Sequence, residues 1–504
     1  MSESIRHVML KNFVPAALLP VQWADVAVKR LTVDSRTVGE GDCFIAYPGH
    51  VMDGRKFIAD ALQKGAAAVI AEADGLQLDS TLPVIAVPAL KTRLGELASR
   101  FYGDPSARVK LVAVTGTNGK TTVTHLIAQA VDQLQQRGGV IGTLGNGLVA
   151  HLEPTQNTTP DIIAINAALH AMAEQNVRVV AMEASSHGLV QGRLDGLTIQ
   201  VGIITNLSRD HLDYHGSMEA YRDAKALLAQ HPSLRYLVLN ADDETIASMA
   251  SLAHSAATVT TFSTHADMSA TVKINSIEYG MHGLTMSVAV GDQVASVRSA
   301  LIGEFNAANV LAALACLLVL DVDLVSACAA LEKCRPVPGR MEIVNPHAAD
   351  NDPVVVVDFA HTPDALEKVL IALRRHCQGQ LWCVFGCGGD RDAGKRPLMG
   401  AAVARFADNV VITSDNPRSE KPAKIIADIV KGIPPGQAFE LIEDRVSAIE
   451  YAVLNAASHD LILLAGKGHE EYQEIQGVKH PYSDMAVANS AIVKRHQKQQ
   501  SLNG

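Results

Sequence analysis

The chain has 504 residues, of which 48% are hydrophobic and 19% are charged, and its formal net charge is −10. This length is too great for one hydrophobic core, so two to four domains are expected. The acidic balance, with a pI near 6.0, excludes the basic surface of nucleic-acid-binding and membrane-surface proteins, although local Arg and Lys can still bind an anionic substrate.

Cysteine use and the N-terminus both favour a cytoplasmic protein. The seven cysteines are scattered and form no C-x-x-C pair, which is typical of buried free thiols in a reducing compartment. Residues 1–7 lack the basic start and apolar core of an export signal. Since no run approaches the ~18 apolar residues of a membrane span, no membrane partner is expected.

Residues 1–105 are predicted to form a small α/β unit. Apolar strands are expected at 68–71 and 84–87, and a helix is expected between Phe57 and Lys64. Asp34-Ser35-Arg36 is typical of a turn with an aspartate cap. The helix breaker at 101–105 ends the unit.

The strongest motif follows an apolar run that begins at Leu111 and precedes the apolar period of a helix. It consists of Gly116, Thr117, Asn118, Gly119, Lys120, Thr121 and Thr122. In a strand–loop–helix the glycines turn backbone N–H groups around an anion, Lys120 adds a full charge, and the Thr121 hydroxyl can reach a metal. Val114 stands where the general phosphate loop has glycine, so this loop is a shortened variant that argues against the common switch GTPases. Nucleotide phosphate binding is predicted.

Strands and helices alternate through 106–337, which predicts a mostly parallel sheet. Ligands of such sheets bind beyond the carboxyl ends of the strands, so Thr121, Glu183 and His211 are expected at one rim. Short alternating strands at 258–302 predict an antiparallel patch, after which a helix begins near Asn306.

A Pro-Val-Pro-Gly linker at 336–339 precedes a predicted Rossmann-like domain. Four apolar runs in this domain each end in Gly, Asp, Arg or His, at 354–357, 381–385, 410–413 and 461–465. Arg391, Arg418 and Glu470 exceed what turns require, so a second ligand rim is predicted there. The Lys- and Gln-rich tail from about 489 is expected to fray. The expected fold class is α/β with three domains, namely a small α/β N-terminal domain (1–105), a central phosphate-loop ATPase domain (106–337) and a C-terminal Rossmann-like domain (338–504).

Taken together, the phosphate loop, the two strand ends, Gly339-Arg340 and the C-terminal rim resemble the ATP-dependent Mur ligases of peptidoglycan synthesis, nearly end to end. Asp415-Asn416-Pro417-Arg418 resembles the branch that adds meso-diaminopimelate. The resemblance implies that ATP phosphorylates the D-glutamyl side-chain carboxylate of UDP-MurNAc-L-Ala-D-Glu, and that the diaminopimelate amine then attacks the acyl phosphate. It implies small-molecule partners and Mg²⁺, with Mn²⁺ as a substitute, and nothing in the sequence demands more than a monomer.

The resemblance also implies roles for individual residues. Beyond the phosphate loop, the ATP set contains Asn306, Arg340, Asp358 and His361. The UDP-muramyl-peptide set contains Val33, Ser35, His50, Val51, Met52, Asn157, Thr158, Thr159, Ser185, Gln191 and Arg193. The diaminopimelate set contains Arg391, Asp415, Asn416, Pro417, Arg418, Gly466 and Glu470. The catalytic and metal-binding set contains Lys120, Thr121, Glu183, His211 and, as a carbamate, Lys225. From the residues alone, Lys225 is only one more charge on a helix.

Meso-diaminopimelate is lysine with a carboxylate added at its far end, so Arg418 is expected to select it over L-lysine through a bidentate ion pair. A salt bridge from Arg418 to Glu420 or Asp415 is the structural alternative. Two other functions stay open: a folylpolyglutamate synthetase-like amide ligase, and a nucleotide switch without chemistry. The N-terminal unit and Arg418 argue against the first, and the second rim argues against the switch.

Overall fold

The computed structural model describes residues 7–49, 52–76, 82–155, 157–280, 283–344 and 352–503, with no side-chain description for 213 and 500–503. The chain forms two compact units, Met1–Thr261 and Phe262–Gly504. This division into two units does not test the predicted domain boundaries at 105 and 337, which stay predictions. In the part of the chain that is described, no helix is both long and apolar enough to cross a bilayer.

The first unit alternates strands and helices. In chain order they are β1 (Val8–Met9), α1 (Leu10–Phe13), β2 (Ala27–Val28), β3 (Leu31–Thr32), β4 (Cys43–Ala46), α2 (Ile58–Gln63), β5 (Ala68–Glu72), β6 (Val84–Val87), α3 (Leu90–Tyr102), α4 (Pro105–Arg108), β7 (Lys110–Thr115), α5 (Lys120–Gln133), β8 (Gly138–Gly142), β9 (Gly145–Leu148), β10 (His151–Glu153), α6 (Ile162–Glu174), β11 (Val179–Glu183), α7 (Ser186–Val190), β12 (Val201–Ile204), α8 (Leu212–His215), α9 (Met218–Ala229), β13 (Tyr236–Asn240) and α10 (Glu244–Ser248). Strand β14 (Thr258–Ser263) follows and ends in the second unit.

Two sheets organise this unit. Strands β3, β4, β5 and β6 are parallel neighbours in the smaller sheet. In the larger sheet β7 lies between β11 and β12 and is parallel to both, with Glu183 opposite Val114 and Ile204 opposite Thr115. The side chains from Leu111 to Val114 are fully buried, as is typical of a parallel strand covered on both faces. The predicted common rim of these three strands is confirmed.

Strand β8 was not predicted, because it begins with two glycines and glycine is depleted in strands. The structure explains the first of them. A Cβ on Gly138 would lie 2.2 Å from the carbonyl oxygen of Ala128 in α5. Glycine therefore lets α5 pack directly on the backbone of the sheet at this point.

The second unit contains an antiparallel patch, two helices and a second parallel sheet. In chain order its elements are β15 (Val272–Gly280), β16 (Gly283–Val290), β17 (Gln293–Ser299), α11 (Glu304–Val319), α12 (Leu324–Glu332), β18 (Glu342–Ile343), β19 (Val354–Asp358), α13 (Pro363–Arg374), β20 (Leu381–Phe385), α14 (Lys395–Phe406), β21 (Asn409–Ile412), α15 (Pro422–Val430), β22 (Glu440–Leu441), α16 (Arg445–Asn455), β23 (Leu461–Ala465), β24 (Tyr472–Ile475), β25 (Val478–Pro481) and α17 (Asp484–Asn503).

The antiparallel patch is confirmed for β15, β16 and β17, whereas β14 pairs with β15 in parallel. The parallel sheet has the order β18-β19-β23-β20-β21-β22, and only the short β18 runs antiparallel to its neighbour. Separate apolar clusters cover its two faces. The carboxyl ends of β20, β21 and β23 therefore meet at one edge, as the predicted second rim requires.

The expectation that the tail frays is wrong, because α17 runs from Asp484 to Asn503. Ala488 and Ala491 pack in the same cluster as Ala448 and Ala452 of α16, and Arg495 donates to the carbonyls of Val453 and Ala456 at 2.7 Å each. The apolar and buried polar positions are spread among the Lys and Gln residues, which concealed the amphipathic pattern.

Helix α17 also supplies a buried ion pair. Asp484 is fully buried and accepts from Nε and Nη2 of Arg445 at 2.8 and 2.7 Å. The same Nη2 donates to the carbonyl of Ala465, at 2.9 Å, and Nη1 lies 3.5 Å from the carbonyl of Ser414. This pair therefore supports the end of β23 and the loop that follows β21.

The variant Asp484→Asn is expected to lower the free energy of unfolding by about 3 kcal/mol, because it leaves the Arg445 guanidinium buried without its carboxylate. Urea denaturation followed by circular dichroism measures this. The matched control is Asp364→Asn, which removes an exposed pair with Lys368 and is expected to cost less than about 1 kcal/mol. Equal losses in the two variants would contradict the prediction.

Candidate active site

The phosphate loop is held in shape by the end of β12. Gly116 has φ +152°, and a Cβ there would lie 1.9 Å from the Thr205 hydroxyl oxygen. The Thr205 hydroxyl donates to the carbonyl of Asn118 at 2.7 Å, and the Asn118 N–H donates to the side-chain oxygen of Asn206 at 2.9 Å. The loop is thus pre-shaped, and α5 starts at Lys120 immediately after it.

Lys120 folds back over this loop. Its Nζ donates to the carbonyls of Gly116 and Thr117 at 2.8 and 2.9 Å. Those carbonyls keep the ammonium at the mouth of the loop, beside the N-terminus of α5. An anion bound to the loop would meet both the ammonium and the helix dipole.

Glu183 is buried at the end of β11, with 1% of its surface exposed. Its carboxylate accepts from the Thr121 hydroxyl at 3.1 Å and from the N–H and hydroxyl of Thr143 at 2.8 and 3.2 Å. Burial raises the pKa of Glu183 above its ordinary value, and the charge of Lys120 and these hydrogen bonds offset only part of that rise. The structure therefore brings Thr121 and Glu183 into direct contact.

His211 lies in an aromatic and imidazole cluster. It has left-handed backbone geometry at φ +52°, and its ring lies 5.0 Å from that of His187, between centroids. Tyr221 lies 6.2 Å from His211, centroid to centroid, and its hydroxyl is 3.2 Å from the Thr117 hydroxyl. The side chain is about half exposed, so His211 lies at the solvent side of the same rim.

Lys225 is almost fully buried, with 1% exposed. Its Nζ lies 4.3 Å from the ring centroid of Tyr221. Burial, and then the charge of Lys120, lower the pKa of Lys225 to about 6. Burial thus favours the neutral amine over the ammonium form, unlike at an ordinary surface lysine.

The donor set at this rim suits a hard cation only in part. Thr121 and Glu183 offer a hydroxyl and a carboxylate in contact, which are ligands that Mg²⁺ and Mn²⁺ prefer. Across the described ranges, no group of three or more His, Cys, Asp or Glu side chains is close enough to hold a metal. Further ligands would have to come from His211, from bound phosphates or from a modified Lys225, so metal binding stays a prediction.

Four members of the predicted muramyl-peptide set lie beside Glu183, namely Thr159, Ser185, Gln191 and Arg193. The Thr159 hydroxyl donates to the carbonyl of Glu183 at 2.8 Å and accepts from the N–H of Ser185 at 2.9 Å. Arg193 donates to the carbonyl of Thr159 and to Gln191 Oε1. The remaining members are more peripheral: Thr158 accepts from Thr143, Asn157 and Met52 are exposed, and Val33 and Ser35 are half-buried. His50 and Val51 lie outside the described residues.

In the second unit, the residues predicted to contact ATP differ in their burial and in their hydrogen-bond partners. Asn306 is buried, and its amide donates to the carbonyl of Ile302 and accepts from Asn309. Asp358 accepts from the N–H groups of Met341 and Ala360, and His361 is exposed. Arg340 has its guanidinium 5.1 Å from the Phe359 ring centroid. Its Nε is buried and has no hydrogen-bond partner among the described residues.

Arg418 at the second rim is held by a neighbouring hairpin. Its Nε lies 3.2 Å from Glu474 Oε2, and its Nη1 donates to the carbonyl of Gly389 at 2.9 Å. The ion pair is thus with Glu474 of β24, and not with Glu420 or Asp415. Glu420 pairs instead with the buried Arg396 at 2.6 Å.

The other members of the diaminopimelate set converge on the same edge. Asn416 donates to Glu470 Oε2 at 2.8 Å. A Cβ on Gly466 would lie 2.6 Å from Asp415 Oδ2, so the ends of β21 and β23 are in close contact. Pro417 packs similarly, since its carbonyl oxygen would lie 1.9 Å from a Cβ on Gly389. Arg391 is exposed on the loop after β20.

Sequence reasoning missed three residues in these sites: Thr143, Tyr221 and Lys467. Thr143 follows the unpredicted strand β8, and Tyr221 is separated from the loop by more than 100 positions. Lys467 is fully buried and lies between two glycines directly after a buried strand. That position could have signalled a role at the rim, since lysine is seldom buried without a partner.

Sequence models of three domains match this chain in order: "Mur ligase family, catalytic domain" over 27–102, "Mur ligase middle domain" over 114–317, and "Mur ligase, glutamate ligase domain" over 339–468. UDP-N-acetylmuramoyl-L-alanyl-D-glutamate–2,6-diaminopimelate ligase of Pseudomonas aeruginosa is 48% identical, over 94% of this chain and 97% of its own. The Chromobacterium violaceum protein of the same name is 45% identical, over 97% of this chain and 98% of its own.

Solved structures agree. A structure of an enzyme of that name has a TM-score of 0.75 and 39% identity, covering 97% of this chain and 100% of its own. Folylpolyglutamate synthase of Mycobacterium tuberculosis has a TM-score of 0.58 at 20% identity, covering 74% of this chain and 92% of its own, which shows a shared fold alone. The predicted α/β fold class is confirmed, and the chain belongs to the Mur ligase family of ATP-dependent ligases.

Proposed function

We propose that this Mur ligase joins meso-2,6-diaminopimelate to the D-glutamyl side-chain carboxylate of UDP-MurNAc-L-Ala-D-Glu. The observation that carries the proposal is the second rim, where Arg418 pairs with Glu474 and the N–H of Glu474 donates to Asn416 of the Asn416–Glu470 pair. A guanidinium and a carboxylate at one edge suit an amino acid that carries both charges at its far end. The names of the relatives that match nearly end to end support the same substrate.

In the reaction, a carboxylate oxygen of the D-glutamyl group attacks the γ-phosphorus of ATP, and ADP leaves with the electrons of the broken bond. The diaminopimelate nitrogen then attacks the acyl carbon, loses a proton, and displaces phosphate. The first step brings two anions together, so Lys120 at the loop is placed to neutralise charge in the transition state. Mg²⁺ or Mn²⁺ held by Thr121, Glu183, His211 and a Lys225 carbamate would supply further charge neutralisation.

We assign the two nucleotides to different sets. Arg193, Thr158, Thr159, Ser185, Gln191 and Asn157 bind the muramyl peptide and its diphosphate, and the residues near Val33, Ser35 and 50–52 bind uridine. Arg340, Asn306, Asp358 and His361 contact ATP. The unpaired buried Nε of Arg340 supports this, since such a group costs free energy until a ligand satisfies it.

We also propose a monomer with three domains divided at 105 and 337. A cytoplasmic setting is supported by the seven free cysteines.

Lys225 is proposed to react with CO₂ to form a carbamate. Only the neutral amine is nucleophilic, and the pKa of about 6 makes that form dominant at neutral pH. The product is an anion, so the unfavourable neighbour charge of Lys120 on the ammonium becomes an attraction. The amine releases one proton as the N–C bond forms, so a buried neutral amine is replaced by a buried carboxylate-like group near the metal-binding residues.

We expect ¹³C-labelled CO₂ to give a carbamate signal in the NMR spectrum of the wild-type protein, absent in Lys225→Ala. Because the amine is neutral above its pKa, the signal is expected to fall as the pH drops through about 6. The kcat of Lys225→Ala is expected to fall about 100-fold, as for loss of a group at a metal centre. A signal of equal intensity in Lys225→Ala would contradict the assignment.

The proposed function is tested by phosphate release from the purified protein with ATP, Mg²⁺ and UDP-MurNAc-L-Ala-D-Glu. Release is expected to be much faster with meso-diaminopimelate than with L-lysine, and absent without an amine. Equal release with L-lysine would keep the ligase and refute the specificity. No release with any of them would refute the proposed substrates.

A further inference from the structure

Lys467 is the buried cation at the second rim. It follows β23, lies between Gly466 and Gly468, and has 0% of its surface exposed. An ammonium group taken out of water costs free energy unless charged and polar partners surround it. The partners of Lys467 therefore indicate what this lysine is for.

Three side chains form a closed triangle here. Lys467 Nζ lies 3.0 Å from Glu470 Oε2 and 3.0 Å from Asn416 Oδ1, and Asn416 Nδ2 donates to Glu470 Oε2 at 2.8 Å. The rings of Tyr472 and Tyr482 complete the surroundings, each with its centroid 5.7 Å from Nζ. Each member of the triangle is thus oriented by the other two.

Among the residues that the structure describes, the hydrogen bonds of the triangle leave one carboxylate oxygen of Glu470 for another donor. Both side-chain donors of the triangle reach Oε2 of Glu470. Asn416 cannot turn to reach Oε1, because its Oδ1 also accepts from the N–H of Glu474 at 2.9 Å. Oε1 is therefore the atom that an incoming ammonium group can use, and its direction is set by Lys467.

We propose that Lys467 is a positioning residue of the amino-acid site, which fixes Glu470 so that Oε1 faces the substrate ammonium. This inference rests on the proposed function, because it takes Glu470 as a contact of diaminopimelate. Lys467 itself would not touch the substrate. Its charge also compensates the charge of the Glu470 carboxylate, whose Oε2 lies 3.0 Å from Nζ.

The test uses the full-length enzyme and the KM values of all three substrates. Lys467→Met keeps the length of the side chain and removes its charge and donors. We expect it to raise the KM for meso-diaminopimelate about tenfold, while the KM values for ATP and UDP-MurNAc-L-Ala-D-Glu stay within about twofold. Lys467→Gln keeps one N–H donor and is expected to raise the same KM about threefold. Lys479→Met is the control, since Lys479 is exposed and lies over the same Tyr472 ring at 4.1 Å.

A double variant separates positioning from a direct role. If Lys467 acts through Glu470, Lys467→Met/Glu470→Gln is expected to have the KM of Glu470→Gln alone, within about twofold. Multiplied effects would overturn the proposal, as would an unchanged KM for meso-diaminopimelate or an equal rise for all three substrates. If circular dichroism shows that Lys467→Met is unfolded, Lys467→Gln decides by the same criteria. No turnover by wild type would refute the proposed function, whereas turnover with an unchanged KM in the variants would refute this inference alone.

Discussion

Replacement of Lys120 by methionine is expected to lower kcat about a thousandfold, because the transition state of phosphoryl transfer then loses its one full positive charge from the loop. The fold is expected to survive. The ammonium donates to the carbonyls of Gly116 and Thr117, while the strand before the loop and the helix after it bury apolar side chains. Phosphate release under saturating substrates measures the loss.

The matched control for this variant is Lys333→Met, since Lys333 is exposed at the end of α12. A second readout checks the electrostatics. The charge of Lys120 lowers the pKa of Lys225, so its removal is expected to raise that pKa and weaken the carbamate signal at a fixed pH. A loss of kcat below about tenfold would contradict the role given to Lys120.

Replacement of Arg418 by alanine is expected to lower kcat/KM for meso-diaminopimelate by roughly 10²–10³, as for loss of one partner of a desolvated charge pair. Turnover with L-lysine, which lacks the far carboxylate, is expected to change less than about fivefold. The preference for meso-diaminopimelate would then collapse. Competition between the two amino acids, followed by mass spectrometry of the products, measures the ratio.

Glu474 makes the Arg418 prediction sharper. In Arg418→Ala this carboxylate loses its ion pair and would face the substrate carboxylate, so repulsion adds to the lost attraction. Arg418→Ala/Glu474→Gln is therefore expected to recover part of the activity with meso-diaminopimelate. Arg405→Ala is the control, because Arg405 is exposed on α14 and lies over Phe406. Equal losses with both amino acids in Arg418→Ala would contradict the role in specificity.

The sequence was informative where apolar runs stop at polar clusters. The run that ends at the phosphate loop and the run that ends at Glu183 predicted neighbouring parallel strands, because buried strands of a parallel sheet are apolar on both faces. Strand β8 escaped prediction since its glycines serve the packing of α5 and carry no apolar pattern. Helix α17 escaped because its buried polar residues, such as Arg495, resemble surface residues in sequence.

At the candidate sites, likewise, one part could be predicted from the sequence and another could not. Residues at strand ends, such as Asn416 and Glu470, could be placed on a rim from their position alone. Their orientation could not, because it depends on Lys467 and on the hairpin that carries Glu474. Hydrogen bonds between loops distant in sequence leave no periodic signal. The structural alternative for Arg418, a salt bridge to Glu420 or Asp415, therefore named the wrong carboxylate, since the ion pair is with Glu474, while its proposed role toward the substrate stays a prediction.

The Arg445–Asp484 pair has a consequence for the order in which the protein is made. Arg445 supports the strand ends that carry both halves of the amino-acid rim, but the ribosome adds its carboxylate partner 39 residues later. Until Asp484 emerges, the nascent second sheet holds a guanidinium that it cannot bury at low cost. The site for the amino acid is therefore expected to become competent only after α17 has docked, so that incomplete chains cannot trap the substrate.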